Sequence, residues 1–125
     1  MAASDLKTDE TRNLISADKV EGTTIYDRQG SNIGTVKNVM INKLTGKVAY
    51  VVVQYGGVMG FGSDFYPMPW NVLTYDTGKG GYVVDMSKEQ LQNAPRYSAS
   101  SQPDWQSRGY HDELHRHYGV QPNYS

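Results

Sequence analysis

Hydrophobic positions along this chain fall into short alternating runs separated by glycine-containing turns, and the longest uninterrupted one is Val48 to Val53. β-Branched and aromatic residues dominate it, and Thr45-Gly46 and Gly56-Gly57 close it at both ends. Such a run predicts a buried β-strand. Alternation puts Val48, Tyr50 and Val52 on one face and Ala49, Val51, Val53 and Tyr55 on the other. Both faces are apolar, so both need cover. A barrel interior covers one, and a helix or a second subunit covers the other. The run is far shorter than the roughly 18 apolar residues of a membrane-spanning helix.

The remaining pattern is arranged around that strand. Met1 to Lys19 is polar and reads as a flexible N-terminal arm, with Leu14 and Ile15 as a short apolar anchor. Thr23 to Tyr26 makes a first strand, and Asp27-Arg28-Gln29-Gly30 a tight turn. Ile33 to Asn42 changes phase midway, which predicts a bulge near Lys37-Asn38. Phe65 to Trp70 is a strand that Pro67 and Pro69 confine to an edge. Asn71-Val72-Leu73 fits one helical turn before Thr74-Tyr75, and Tyr82-Val83-Val84 is the last strand. Ser87-Lys88-Glu89-Gln90 is a capping box opening a short helix that Pro95 ends. Arg96 to Pro103 is linker in composition. Asp104 is placed to cap a final helix on which Tyr110, Leu114 and Tyr118 recur at i, i+4 and i+8. Gly109 weakens that helix by about 1 kcal/mol relative to alanine. The organisation expected is an arm over 1–19, one domain over 20–95, and a linker with a helical tail over 96–125. The fold class is all-β, a small barrel of about six short antiparallel strands with helices only late.

Composition narrows the function classes. The chain has 125 residues, a formal net charge of -1 and a pI near 6.3, which give no global attraction to nucleic acid or anionic lipid. It has no cysteine, hence no disulfide framework, thiolate nucleophile or cysteine zinc site. The polar N-terminus lacks the apolar core of a signal peptide, so a cytoplasmic location is expected. Mean hydropathy is -0.63, with the polar residues concentrated at the two ends.

From Gly22 to Pro95 the residues resemble the PRC-barrel family, the β-barrel of the photosynthetic reaction centre H subunit and of a ribosome-maturation factor. The matching features are Ile25-Tyr26-Asp27 followed by Gly30 and Ile33-Gly34, then Thr45-Gly46 before the valine-rich strand. After it come Gly56-Gly57, Gly60-Phe61-Gly62, Pro69-Trp70, Asp85, and Leu91 before Asn93-Ala94-Pro95. The resemblance implies a PRC-type barrel with no shared catalytic apparatus and a role through protein contacts. The chain has neither the transmembrane helix of the H subunit nor the separate N-terminal barrel of the ribosome factor, so a stand-alone PRC-barrel protein is the closer description.

Candidate chemistry is sparse. The three histidines, His111, His115 and His117, lie in the tail, and a solvated helix face accounts for them as well as a metal would. The glycines at 56, 57, 60 and 62 precede neither Lys-Ser nor Lys-Thr nor a helix, so they do not form a phosphate loop. Ten tyrosines and two tryptophans invite a stacking platform for single-stranded nucleic acid, but the basic residues are scattered among 13 acids. No elbow motif presents a serine. The expectation is a non-enzymatic protein-interaction or scaffold module, with no catalytic residues, cofactor or metal, no membrane span and no nucleic acid. The alternative is an RNA- or ribosome-associated assembly factor. A homodimer is expected, with an unidentified protein as further partner. Its candidate interface is Tyr50, Val52, Val58, Met59, Phe61, Tyr110, Leu114 and Tyr118, because the second face of the central strand has little else to cover it. The competing reading is that the C-terminal stripe folds over that patch and leaves a monomer.

Overall fold

A computed structural model describes residues 14–55, 64–98 and 100–120. Its elements are α1 (Ala17–Val20), β1 (Thr24–Tyr26), β2 (Asn32–Ile41), β3 (Val48–Tyr55), β4 (Asp64–Pro69), a 3-10 turn (Trp70–Val72), β5 (Leu73–Asp76), β6 (Gly81–Val84), α2 (Lys88–Gln92) and α3 (Arg108–Tyr118). The six strands form one sheet in the order β4-β3-β2-β1-β6-β5, curled into a half-barrel. One pairing departs from the antiparallel pattern: β1 runs parallel to β6, with Ile25 opposite Tyr82. No local turn dictates that contact, because the two strands are separated by all the strands between them in sequence. Gly81 permits it. A Cβ there would lie 2.5 Å from the Thr24 carbonyl oxygen, so a side chain would force the strands apart.

The phase change in β2 is a bulge. Val36 faces Val53 and Asn38 faces Val52, with Lys37 unpaired between them. The register therefore gathers Val36, Val51, Val53, Tyr66 and Met68 on one face, all nearly inaccessible, and they join Ile25, Tyr82 and Val84 in the core. Gly34 lies ahead of the bulge, with φ +151 and a would-be Cβ 2.4 Å from the Gln54 carbonyl oxygen. Only glycine lets β2 approach β3 there.

The two edges of the sheet differ. On β4, Phe65 exchanges both backbone hydrogen bonds with Tyr97, at 2.9 and 3.0 Å, so its polar groups face outward. Pro67 and Pro69 share that phase, and the N–H groups they lack are the ones that would have faced outward. The outer edge of β4 is thus closed by one bridge and two prolines. β5 ends the sheet on the other side.

The helices follow the sequence signals with small shifts. Ser87 Oγ accepts from Gln90 N at 3.2 Å while Gln90 Oε1 accepts from Ser87 N at 2.8 Å, completing the capping box. For α3 the cap is Ser107, which accepts from Tyr110 N. Asp104, the expected cap, instead accepts from Gln106 N in the preceding turn. Gly119, left-handed at φ 71, ends the helix. At the other end of the domain, the arm expected over 1–19 finishes in α1, whose Val20 is buried.

Candidate functional site

The most connected polar side chain on the sheet is Tyr50. The β2–β3–β4 register sets it beside Met40 and Pro69, on the face opposite Val51. The C-terminal segment covers that face. The Tyr50 ring stacks on His111 with centroids 5.4 Å apart, meets His115 edge-on at 5.6 Å and touches Trp105 at 6.0 Å. Trp105 also contacts Tyr97 and Tyr110 edge-on, so three rings meet Tyr50 and two more flank Trp105.

Hydrogen bonding assigns the imidazole tautomers. His111 Nε2 lies 2.6 Å from the Trp105 carbonyl oxygen, which can only accept, so Nε2 carries the proton. Its Nδ1 then accepts from the Tyr50 hydroxyl at 2.5 Å. His115 Nδ1–H donates to the His111 carbonyl at 2.7 Å, and His117 Nε2–H to the Gln90 carbonyl at 2.9 Å. All three imidazoles thus hold backbone: two secure α3 and the segment before it, and the third ties α3 to α2. Among the described residues, no three His, Asp or Glu side chains come together as a ligand set. Asp27, the one buried acid among the described residues, accepts from Gln29 N and Ser31 N, both at 2.9 Å, and so fixes its own turn.

The expected interface residues are distributed differently from the sequence reading. Tyr50 is 5% exposed, Val52 and Leu114 are fully enclosed, and Tyr118 is 7% exposed, so these four are interior positions of the folded chain. At Tyr50 the cover comes from the chain's own tail, through Trp105, His111 and His115. The stripe on α3, which needed a surface, finds one on its own domain. Tyr110 is half-buried. Its hydroxyl and that of Tyr118 are buried with no hydrogen-bond partner among the described residues. Burial, reinforced by Tyr97 and Glu113, pushes the Tyr110 phenol up to about 12, and burial pushes Tyr118 further in the same direction. Val58, Met59 and Phe61 lie outside the described residues. Trp105, the centre of the cover, was missed because it stands before the helix and belongs to no periodic stripe.

A second surface feature also escaped the sequence reading. From Arg28 to Ser63 the chain contains four basic residues and no acid, leaving net +4 there and net -5 in the remainder. Lys37, Lys43 and Lys47 are exposed on the β2–β3 hairpin, and with them Ile41 at 52% and Leu44 at 90%. The turn that carries Leu44 is built on Asn42. Its side chain accepts from Leu44 N at 2.9 Å and Thr45 N at 3.1 Å, and its backbone pairs with Lys47 and Gly46. The whole-chain charge of -1 conceals this segregation.

A model of the PRC-barrel domain matches residues 12–91. Among solved structures, the chain is similar to a Pseudomonas aeruginosa protein described as a 16S ribosomal RNA processing protein, RimM. The two are 15% identical, and the match covers 71% of this chain and 50% of that one, with a TM-score of 0.38. The chain therefore spans about half the length of that protein. A comparison with curated proteins finds no match. With the family model spanning the curled sheet, its glycine contacts and α1 to the start of α2, the chain belongs to the PRC-barrel family.

Proposed function

We propose that this chain is a non-catalytic protein-interaction or scaffold module of the PRC-barrel type, working in the cytoplasm as a homodimer. The observation that supports it most is the use of the imidazoles. Every histidine in the chain donates a ring N–H to a backbone carbonyl and so acts as a structural clamp. With Tyr50, Val52, Leu114 and Tyr118 enclosed, the dimer contact is proposed at Val58, Met59 and Phe61, which follow β3 in sequence. Sedimentation of the wild type against a Met59→Asp, Phe61→Asp variant tests it. A dimer that the charges dissociate supports the reading, and a strictly monomeric wild type refutes it.

The alternative, an RNA- or ribosome-associated factor, draws on the exposed lysines of the β2–β3 hairpin. A pull-down from the native host that retains ribosomal RNA and no stable protein partner would reverse the order of the two readings.

A further inference from the structure

We infer that the distal end of the β2–β3 hairpin is a peripheral attachment point for an anionic lipid surface. Leu44 stands 90% exposed on a turn held by backbone and Asn42 hydrogen bonds, with Ile41 half-exposed beside it. Lys43 and Lys47 flank the leucine, Lys37 lies further along the same hairpin, and no acid occurs in the segment. Exposed apolar side chains on a hydrogen-bonded turn, with exposed lysines on either side in sequence, fit a headgroup layer. The leucine enters the acyl boundary and the lysines stay with the phosphates. Among the described residues no helix is long and apolar enough to cross a membrane, so the contact envisaged is at the surface.

Other occupants fit less well. Single-stranded RNA needs exposed rings or guanidinium planes. The described hairpin has no arginine, and its two tyrosines are a buried Tyr50 and a Tyr55 engaged edge-on with Tyr66. Protein hot spots favour Trp, Tyr and Arg, none of which the turn carries. A second copy about a two-fold axis would set lysines against lysines. The hairpin from Asn32 to Tyr55 carries net +3 against net -4 for the rest of the chain, an asymmetry that favours presenting the hairpin to a negative surface.

Co-flotation of the full chain with vesicles tests the inference. Binding is expected to phosphatidylglycerol–phosphatidylcholine vesicles and not to phosphatidylcholine alone, and to weaken in high salt. Leu44→Ser should weaken partitioning about tenfold, and Lys43→Gln or Lys47→Gln about fivefold each. Because these side chains are exposed, the variants should keep the wild-type melting temperature. Failure to float with anionic vesicles overturns the inference. So does equal binding to neutral vesicles, or anionic binding that no hairpin variant changes. Binding to polyuridylate that matches or displaces the vesicle binding would assign the hairpin to RNA instead.

Discussion

Tyr50 on β3 and His111 on α3 stand 61 positions apart and share a 2.5 Å hydrogen bond in which the phenol donates to Nδ1. The acceptor role of that nitrogen is set six residues earlier in the chain, where Trp105 offers its carbonyl to Nε2. This part-buried hydrogen bond, with the two rings stacked beside it, thus secures the tail to the sheet. Tyr50→Phe keeps the ring and deletes the bond, so it should destabilise the protein by about 1–2 kcal/mol in urea unfolding. An unchanged midpoint would mean that the pair is dispensable for docking.

Apolar contact holds the same tail. Leu114 is fully enclosed on the inner face of α3, and Leu114→Ala should cost about 2–5 kcal/mol. Deleting the chain after Pro95 should lower the melting temperature, because it uncovers Tyr50 and the outer edge of β4 together. If the truncated protein melts and sediments like the full chain, the tail is not part of the folded unit.

Alkaline pH should loosen this contact. The Tyr110 phenol is raised from 10.0 to about 12, mainly by burial, with Tyr97 and Glu113 adding to the shift. Tyr118 moves further in the same direction. The folded state therefore holds these protons more tightly than the unfolded chain does. The stabilisation is complete below pH 10 and is lost as pH rises toward the folded values. Tyr118→Phe should move the alkaline unfolding midpoint upward. At neutral pH it should be neutral or stabilising by up to about 1 kcal/mol, since its buried hydroxyl has no partner among the described residues. A loss of stability would reveal a hydrogen bond to that hydroxyl.

Two glycines should tolerate no side chain. Gly34→Ala would drive a methyl group to 2.4 Å from the Gln54 carbonyl oxygen, and Gly81→Ala to 2.5 Å from that of Thr24. Each should cost at least about 2–3 kcal/mol, by spreading β2 from β3 or β1 from β6. By contrast, Gly22→Ala meets nothing within 4 Å and bears only the strain of its φ of +86. Thermal melts of the three variants should rank in that way.

What could be read in advance was whatever a short window of sequence determines. The bulge at Lys37-Asn38 shows as a phase change, the edge placement of β4 as two prolines, and the capping box at Ser87 as a four-residue pattern. Both faces of Val48 to Val53 needed cover, and Tyr50 to Val53 have it, whereas Val48 is half-buried and Ala49 exposed. The C-terminal stripe stood as one reading of the cover, but the part of Trp105 was not legible, because it sits outside that stripe and its contact with Tyr50 joins distant parts of the chain. The parallel pairing of β1 with β6 is long-range in the same sense. Charge segregation was lost for a different reason: a total of -1 averages an acid-free hairpin with an acidic remainder.

The closed edge of β4 has a consequence for how large an assembly can grow. A sheet with two open edges can add copies head to tail without limit, each new molecule presenting a fresh edge. Here Tyr97 occupies Phe65 and the two prolines supply no outward donors, so that side cannot act as a template. Only β5 is left, and two molecules joined β5 to β5 would each turn a sealed β4 outward. Edge-to-edge growth of the described sheet is therefore directed to β5, and a β5-to-β5 pair would present two poorly templating edges.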